Sequence, residues 1–203
     1  MKRFYLDLAL LIMFLAVMSF HFIPKVLHEI LGLLMFVAAA VHFYWNRRAL
    51  RSISKICLAI DILIIVGLLA ITITGVCISN HLFNGLIDMK IQRNIFIHQL
   101  HVSLPFALMI AFGLHFGRNW QSFCRRLPFE INSLVGKAIG IALIIAGLIG
   151  AHMNQLVDRL LMKHIFGTPA TQLNGAIYVL LLLGMVALFT SIGFAFNRLI
   201  KKV

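Results

Sequence analysis

Six stretches of this chain are apolar, at roughly 4–23, 26–46, 56–79, 95–118, 134–153 and 174–196, and about 20 apolar residues of helix cross ~30 Å of hydrocarbon. The pattern predicts an all-α, polytopic membrane protein with six transmembrane helices. Inside these stretches one motif occurs twice: Leu27-His28 with His42 and Asn46, then Leu100-His101 with His115 and Asn119, at a constant offset of 73 residues.

The two histidines of each set are 14 residues apart, which is almost four helical turns. Both rings of a set therefore face nearly the same way, separated by about 21 Å along the axis. The offset covers a helix pair, so the first two spans and the next two read as two copies of one unit. Asp7 and Asp61, each near the opening of an apolar run, agree with this. The second and fourth spans then run in the same direction, which sets His28 level with His101 near the outer face and His42 level with His115 nearer the cytoplasm. Neutral imidazole binds haem iron axially, so the pairs predict two haems, His28–His101 outer and His42–His115 inner.

Residues 1–125 are thus expected to form a four-helix, di-haem bundle, and 126–203 an additional helix pair. In the outer connection from Asn154 to Asn174, Leu156, Leu160, Leu161 and Ile165 recur at helical spacing with Asp158, Arg159 and Lys163 between them. That spacing predicts a short amphipathic helix on the membrane surface. The other outer loop, Asn80 to Asn94, has no clear period.

Composition agrees with a membrane setting. The 203 residues are 62% hydrophobic with a mean hydropathy of +1.00, more apolar surface than one water-soluble core of this size can hide. The net charge of +12 lies at helix ends and favours one side. With the N-terminus inside, Lys2, Arg3, Arg47, Arg48, Arg51, Lys55, Arg118, Arg125, Arg126, Lys137, Arg198, Lys201 and Lys202 are cytoplasmic, against Lys25, Lys90, Arg93, Arg159 and Lys163 outside. Both termini are expected in the cytoplasm, with the charge serving topology and contact with anionic lipid and not nucleic acid. Met1-Lys2-Arg3 precedes a long run with no A-x-A site, so this segment reads as a retained helix and not a signal peptide.

Cys57, Cys77 and Cys124 are scattered and make no disulfide framework, and the chain has neither C-x-x-C-H nor G-x-G-x-x-G. Any haem is therefore b-type, and electrons come from something other than a bound nicotinamide.

The remaining polar residues are secondary candidates. His98, three residues before His101, competes with it as a ligand, bonds a haem propionate, or lines a quinol pocket; the shared Leu-His pattern favours His101. His21, His81, His152 and His164 fall near the outer surface as solvated or interfacial side chains, and together with the outer histidines they suit proton release during quinol oxidation. Gly75, after Thr74, lets a haem or neighbouring helix approach the backbone. Glu29 suits a helix N-terminus. Asp7 and Asp61 read as snorkelling side chains or as a proton or quinone site. Asn46 and Asn119 fix a helix end or hold a propionate, and Trp45 and Trp120 read as interface anchors.

The pattern Leu27-His28-Glu29, Gly32, His42-Phe43 and Asn46, then Thr74-Gly75, Leu100-His101, His115-Phe116 and Asn119-Trp120, resembles the flavinylation-associated cytochrome family of small bacterial membrane haem proteins. It is similar, more distantly, to the cytochrome b subunits of formate dehydrogenases and hydrogenases. The resemblance is strongest over residues 1–125, and the last two spans resemble the extra helix pair of longer members. It implies a di-haem four-helix bundle in the bacterial cytoplasmic membrane, with ligand roles for His28, His42, His101 and His115. It also implies exchange of electrons between the quinone pool and an extracytoplasmic partner, often one carrying covalent flavin.

Iron held by two histidines has no open coordination site, so the expected task is electron transfer and not oxygen activation. The expected donor is quinol and the acceptor an outer flavoprotein or c-type cytochrome, with the direction of flow open. Other classes predict different behaviour: a haem-free membrane anchor, a metal or proton transporter using a histidine relay, or a metal reductase. The 14-residue spacing disfavours a relay, which needs closely spaced groups.

Overall fold

A computed structural model describes residues 2–47, 54–126, 133–163 and 167–200. Of the described residues 84% are helical, and none lies in a strand. The helices are α1 (Lys2–Met18), α2 (Lys25–Asn46), α3 (Lys55–Cys77), α4 (Met89–Gln92), α5 (Ile95–Cys124), α6 (Leu134–Met153), α7 (Leu156–Leu160) and α8 (Gly175–Ile200). Five of them, α2, α3, α5, α6 and α8, are long and apolar enough to cross a membrane. Their large apolar side chains are widely exposed, Val37, Ile62, Val66 and Ile141 among them, a surface compatible with lipid contact. His164 and Ile165, and the basic residues Arg48, Arg51, Lys201 and Lys202, lie outside the described residues.

The first helix stops earlier than its apolar run. α1 has 17 residues. Ser19 Oγ folds back to donate to the Leu15 carbonyl at 2.8 Å, and the chain makes a 3-10 turn over Phe20–Phe22 before an extended Ile23. Pro24 accounts for that extension, because its ring excludes the helical conformation from the residue before it; it then serves as the N-cap of α2.

The chain divides into two compact units. The first comprises Met1–Leu108 with Val157–Phe166 and holds α1 to α4, the start of α5, and α7. Here α2 packs along α1 and against α3. The Glu29 carboxylate ties the loop after α3 to the start of α2, accepting from Ser79 Oγ at 2.8 Å, the Leu82 amide at 2.9 Å and the Asn80 amide at 3.3 Å. Farther along, Asp88 caps α4 through the Lys90 amide at 2.7 Å, and Gly85 turns the chain with a left-handed φ of +79°.

The segment expected as a short amphipathic helix is helical over five residues. α7 covers only Leu156–Leu160 and is bracketed by Gln155 and Met162, both with left-handed φ. Arg159 is 5% exposed and stacks its guanidinium 5.1 Å from the centre of the Phe106 ring, while Val157 and Leu161 are 67% and 57% exposed. Helical spacing specified the period but not the side that faces in.

The second unit comprises Met109–Leu156 with Gly167–Val203. Its centre is the α6–α8 pair, closed over glycine. A Cβ on Gly147 would strike the Gly184 carbonyl oxygen, and one on Gly184 would lie 2.6 Å from Gly147 N. The later part of α5 meets α8 in the same manner, a Cβ on Gly193 falling 2.6 Å from the Leu114 carbonyl oxygen. Small residues at such crossings let backbones approach and gather dispersion contacts that lipid does not offer. Met109, Leu182, Met185 and Asn154 are fully buried here, and Asn154 Nδ2 donates to the Gly150 carbonyl at 2.9 Å.

Candidate functional site

Helices α2 and α5 bring His28 and His101 together within the first unit. Their ring centroids are 6.2 Å apart and their planes 83° apart. His28 sits in the first turn after Pro24, its amide donating to the Pro24 carbonyl at 3.0 Å. His101 follows an Asn94 cap, whose Oδ1 accepts from the Phe96 amide at 2.9 Å and the Ile97 amide at 3.2 Å. Pro105, inside α5, lies four residues beyond His101 and has no N–H, so the His101 carbonyl lacks its usual helical donor.

The His101 ring is held by α3. Its Nδ1 is 3.2 Å from the Ile71 carbonyl oxygen and 3.2 Å from Thr74 Oγ1. A carbonyl only accepts, so Nδ1 carries the proton and Nε2 keeps its lone pair. Gly75 makes room: a Cβ there would be 2.8 Å from His101 Cε1 and 3.4 Å from Nδ1. Across the gap, the Phe20 ring stands edge-on to His28 at 5.0 Å. His28 Nδ1 is buried without a well-formed hydrogen bond, although the Val17 backbone lies within reach.

These features test whether haem suits the pair. An imidazole nitrogen binds a transition metal at about 2 Å, and in a five-membered ring with bonds of ~1.33 Å it lies about 1.1 Å from the ring centre. Two imidazoles on opposite sides of one iron therefore have centroids about 6 Å apart, as His28 and His101 do. The free lone pair on His101, the bonded Nδ1 behind it and the cradle at Gly75 agree with an axial ligand.

His42 belongs to the first unit and His115 to the second, and the two have different surroundings. Asp7 Oδ1 lies 2.9 Å from His42 Nδ1, and both atoms are shielded from solvent. The approach lacks hydrogen-bond alignment, so it does not fix which ring nitrogen carries the proton. At His115, Arg118 Nη2 is 3.2 Å from Nδ1. Arginine only donates, so Arg118 must leave Nδ1 before His115 can ligate through Nε2. The asparagines of the repeat behave alike: Asn46 Nδ2 donates to the His42 carbonyl at 2.8 Å and Asn119 Nδ2 to the His115 carbonyl at 3.0 Å.

His98 points elsewhere. Its Nε2 lies 2.9 Å from the Gln92 carbonyl oxygen, so that nitrogen is a donor. It lines a cavity of about 380 Å³ with Asn80, Asn84, Gln92 and Arg93. His21 flanks Phe20 in the turn after α1; burial first, and the Arg159 guanidinium second, hold its imidazole below the usual histidine range. His81 and His152 are exposed. Among the described residues no group of three or more His, Cys, Asp or Glu is placed to hold a metal ion; an axial pair on haem needs only two.

Two partners escaped the motif reading. Asp7 was visible as a carboxylate in an apolar run, but nothing in the sequence aimed it at His42. The Ile71 carbonyl has no sequence signal, because every residue carries one. No protein-family model, curated protein or solved structure matches the chain.

Proposed function

We propose that this chain is a transmembrane electron carrier of the bacterial cytoplasmic membrane, with b-type haem between His28 and His101 and, on the sequence repeat alone, a second haem bound through His42. The 6.2 Å separation of the His28 and His101 rings carries the reading, supported by the Nδ1 contacts that leave Nε2 of His101 open for iron. The second haem rests on the 73-residue repeat. In this reading α1 is a sixth span, both termini are cytoplasmic, and α1 to α3 with α5 form the haem bundle.

Bound haem supplies a one-electron ferric–ferrous couple. The chain's own residues do the rest. His28 and His101 would hold the haem, each through an imidazole nitrogen. Thr74 and the Ile71 carbonyl fix the ring of His101, and apolar neighbours such as Phe20 exclude water. In this reading the donor is a quinol, which gives up two electrons and two protons, and the acceptor is an extracytoplasmic flavoprotein or c-type cytochrome that takes the electrons singly. The contact of His98 Nε2 with the Gln92 carbonyl oxygen favours His101 over His98 as the ligand.

A reduced-minus-oxidised visible spectrum with a pyridine haemochromogen assay tests this. About two b-type haems per chain are expected, falling to one in His28→Ala or His101→Ala. Colourless protein from cells that load other b cytochromes would overturn the reading and leave a membrane anchor or transporter.

A further inference from the structure

The segment joining α3 to α5 carries two kinds of residue that electron transfer does not use. Leu82, Leu86, Met89, Ile95 and Phe96 expose apolar side chains, and they follow one helix able to cross a membrane and open the next. Large apolar side chains at such a boundary suit the interfacial layer of a bilayer. Met89 also belongs to the wall of the cavity of about 380 Å³ that Asn80, Asn84, Gln92, Arg93 and His98 line.

That wall is tied together at Gln92. Its Nε2 donates to the Ser79 carbonyl at 2.9 Å, and its carbonyl accepts from His98 Nε2 at 2.9 Å. Asn80, Asn84 and Arg93 are not engaged in this way: their side chains enter no hydrogen bond or ion pair among the described residues. No carboxylate lines the cavity. Asp88 nearby is committed to the Lys90 amide, and Glu29 accepts from Ser79, Asn80 and Leu82.

A guanidinium and two amides with N–H groups to donate answer to phosphate, whose ionised oxygens accept. The apolar side chains on the same segment select the source of that phosphate. Acyl chains attached to a headgroup can lie against them, whereas a free anion gains nothing from them. With a positive charge and no acid on the wall, a zwitterionic headgroup would find no partner for its ammonium.

We propose that the segment from Asn80 to Phe96 binds the headgroup of an anionic phospholipid, with its phosphodiester on Arg93 and the amides of Asn80 and Asn84 and its acyl chains along the exposed apolar residues. The site is independent of haem, so its test stands whatever the haem assay finds.

Native mass spectrometry of the purified full chain, released from non-ionic detergent with phosphatidylglycerol or phosphatidylcholine of equal chain length, tests this. Wild type should retain phosphatidylglycerol in preference. Arg93→Gln should weaken that binding about fivefold, the effect of one basic side chain at an anionic surface, and leave phosphatidylcholine unchanged. Arg93→Lys should restore most of it, and Asn84→Leu should weaken it with no change of charge. Arg93 and Asn84 are exposed, so these variants should fold as wild type does. Arg125→Gln, which removes an exposed charge at the other end of α5, should have no effect, and excess inorganic phosphate should not displace the lipid. Equal retention of both lipids overturns the proposal, as does unchanged binding in Arg93→Gln. Equal losses in Arg93→Gln and Arg125→Gln would show attraction by net charge alone, and displacement by inorganic phosphate a site for a free anion; either overturns it.

Discussion

Glu29 Oε2 and Ser79 Oγ are 2.8 Å apart, joining the residue after His28 to the loop that follows α3. The same Ser79 accepts from the Phe83 amide at 3.2 Å, and its carbonyl accepts from Gln92 Nε2 at 2.9 Å, so one buried serine links the start of α2 to the segment leading into α5. Glu29→Ala removes an acceptor for three donors. It should cost about 1–3 kcal/mol, seen as a lower melting temperature in detergent, with Glu29→Gln costing less. Unchanged melting for Glu29→Ala would show that the loop is held elsewhere.

Gly75 and His101 give a sharper test. A Cβ at 75 falls 2.8 Å from His101 Cε1, inside contact distance, and the ring is tethered at Nδ1, so it cannot slide aside freely. On the carrier reading, Gly75→Val should lower haem content, as measured by the pyridine haemochromogen assay. Gly75→Ala, with less to displace, should keep the haem with an altered spectrum.

Within α6, two glycines should respond in opposite directions. Gly140 has nothing within 4 Å of an added Cβ, whereas at Gly147 that atom meets the Gly184 backbone. Gly140→Ala should raise stability by up to about 1 kcal/mol through helix propensity and lost unfolded-state freedom. Gly147→Ala should lower it by about 1–3 kcal/mol. Thermal melting of both variants decides this, and equal shifts would contradict the close α6–α8 crossing.

Arg159 and His21 predict a pH effect. Burial and the guanidinium keep His21 neutral in the folded chain below the usual 6.5, while the unfolded chain binds the proton there. Stability should therefore rise with pH through the ordinary histidine range and reach its full value above it. In Arg159→Gln the smaller of the two causes is gone, so the His21 resonance followed by NMR should titrate higher, still below 6.5. A lower titration point would mean that the guanidinium does not act on this ring.

Much of the architecture was legible because length and apolarity alone decide what crosses hydrocarbon, and five of the six runs become helices able to do so. The sixth was overestimated at its end, where Ser19 and Pro24 act through a hydroxyl back-bond and a steric exclusion that hydropathy does not register. The closeness of His28 and His101 was legible from a motif repeated at fixed offset. The inward turn of Arg159 was not, since the same spacing serves either face of a five-residue helix, and the choice was made by the Phe106 ring on a distant segment. Nor could the partners of the rings be read off: Ile71 acts through its backbone, and the meeting of Asp7 with His42 depends on how α1 lies along α2.

The space left at residue 75 makes two positions behave as one. A side chain belongs at 75 only if something smaller than imidazole stands at 101, so in a library randomised at both sites the functional survivors should be coupled pairs and not independent choices. Glycine has no chemistry of its own to contribute, yet a gene that drifts at codon 75 loses the chemistry of codon 101.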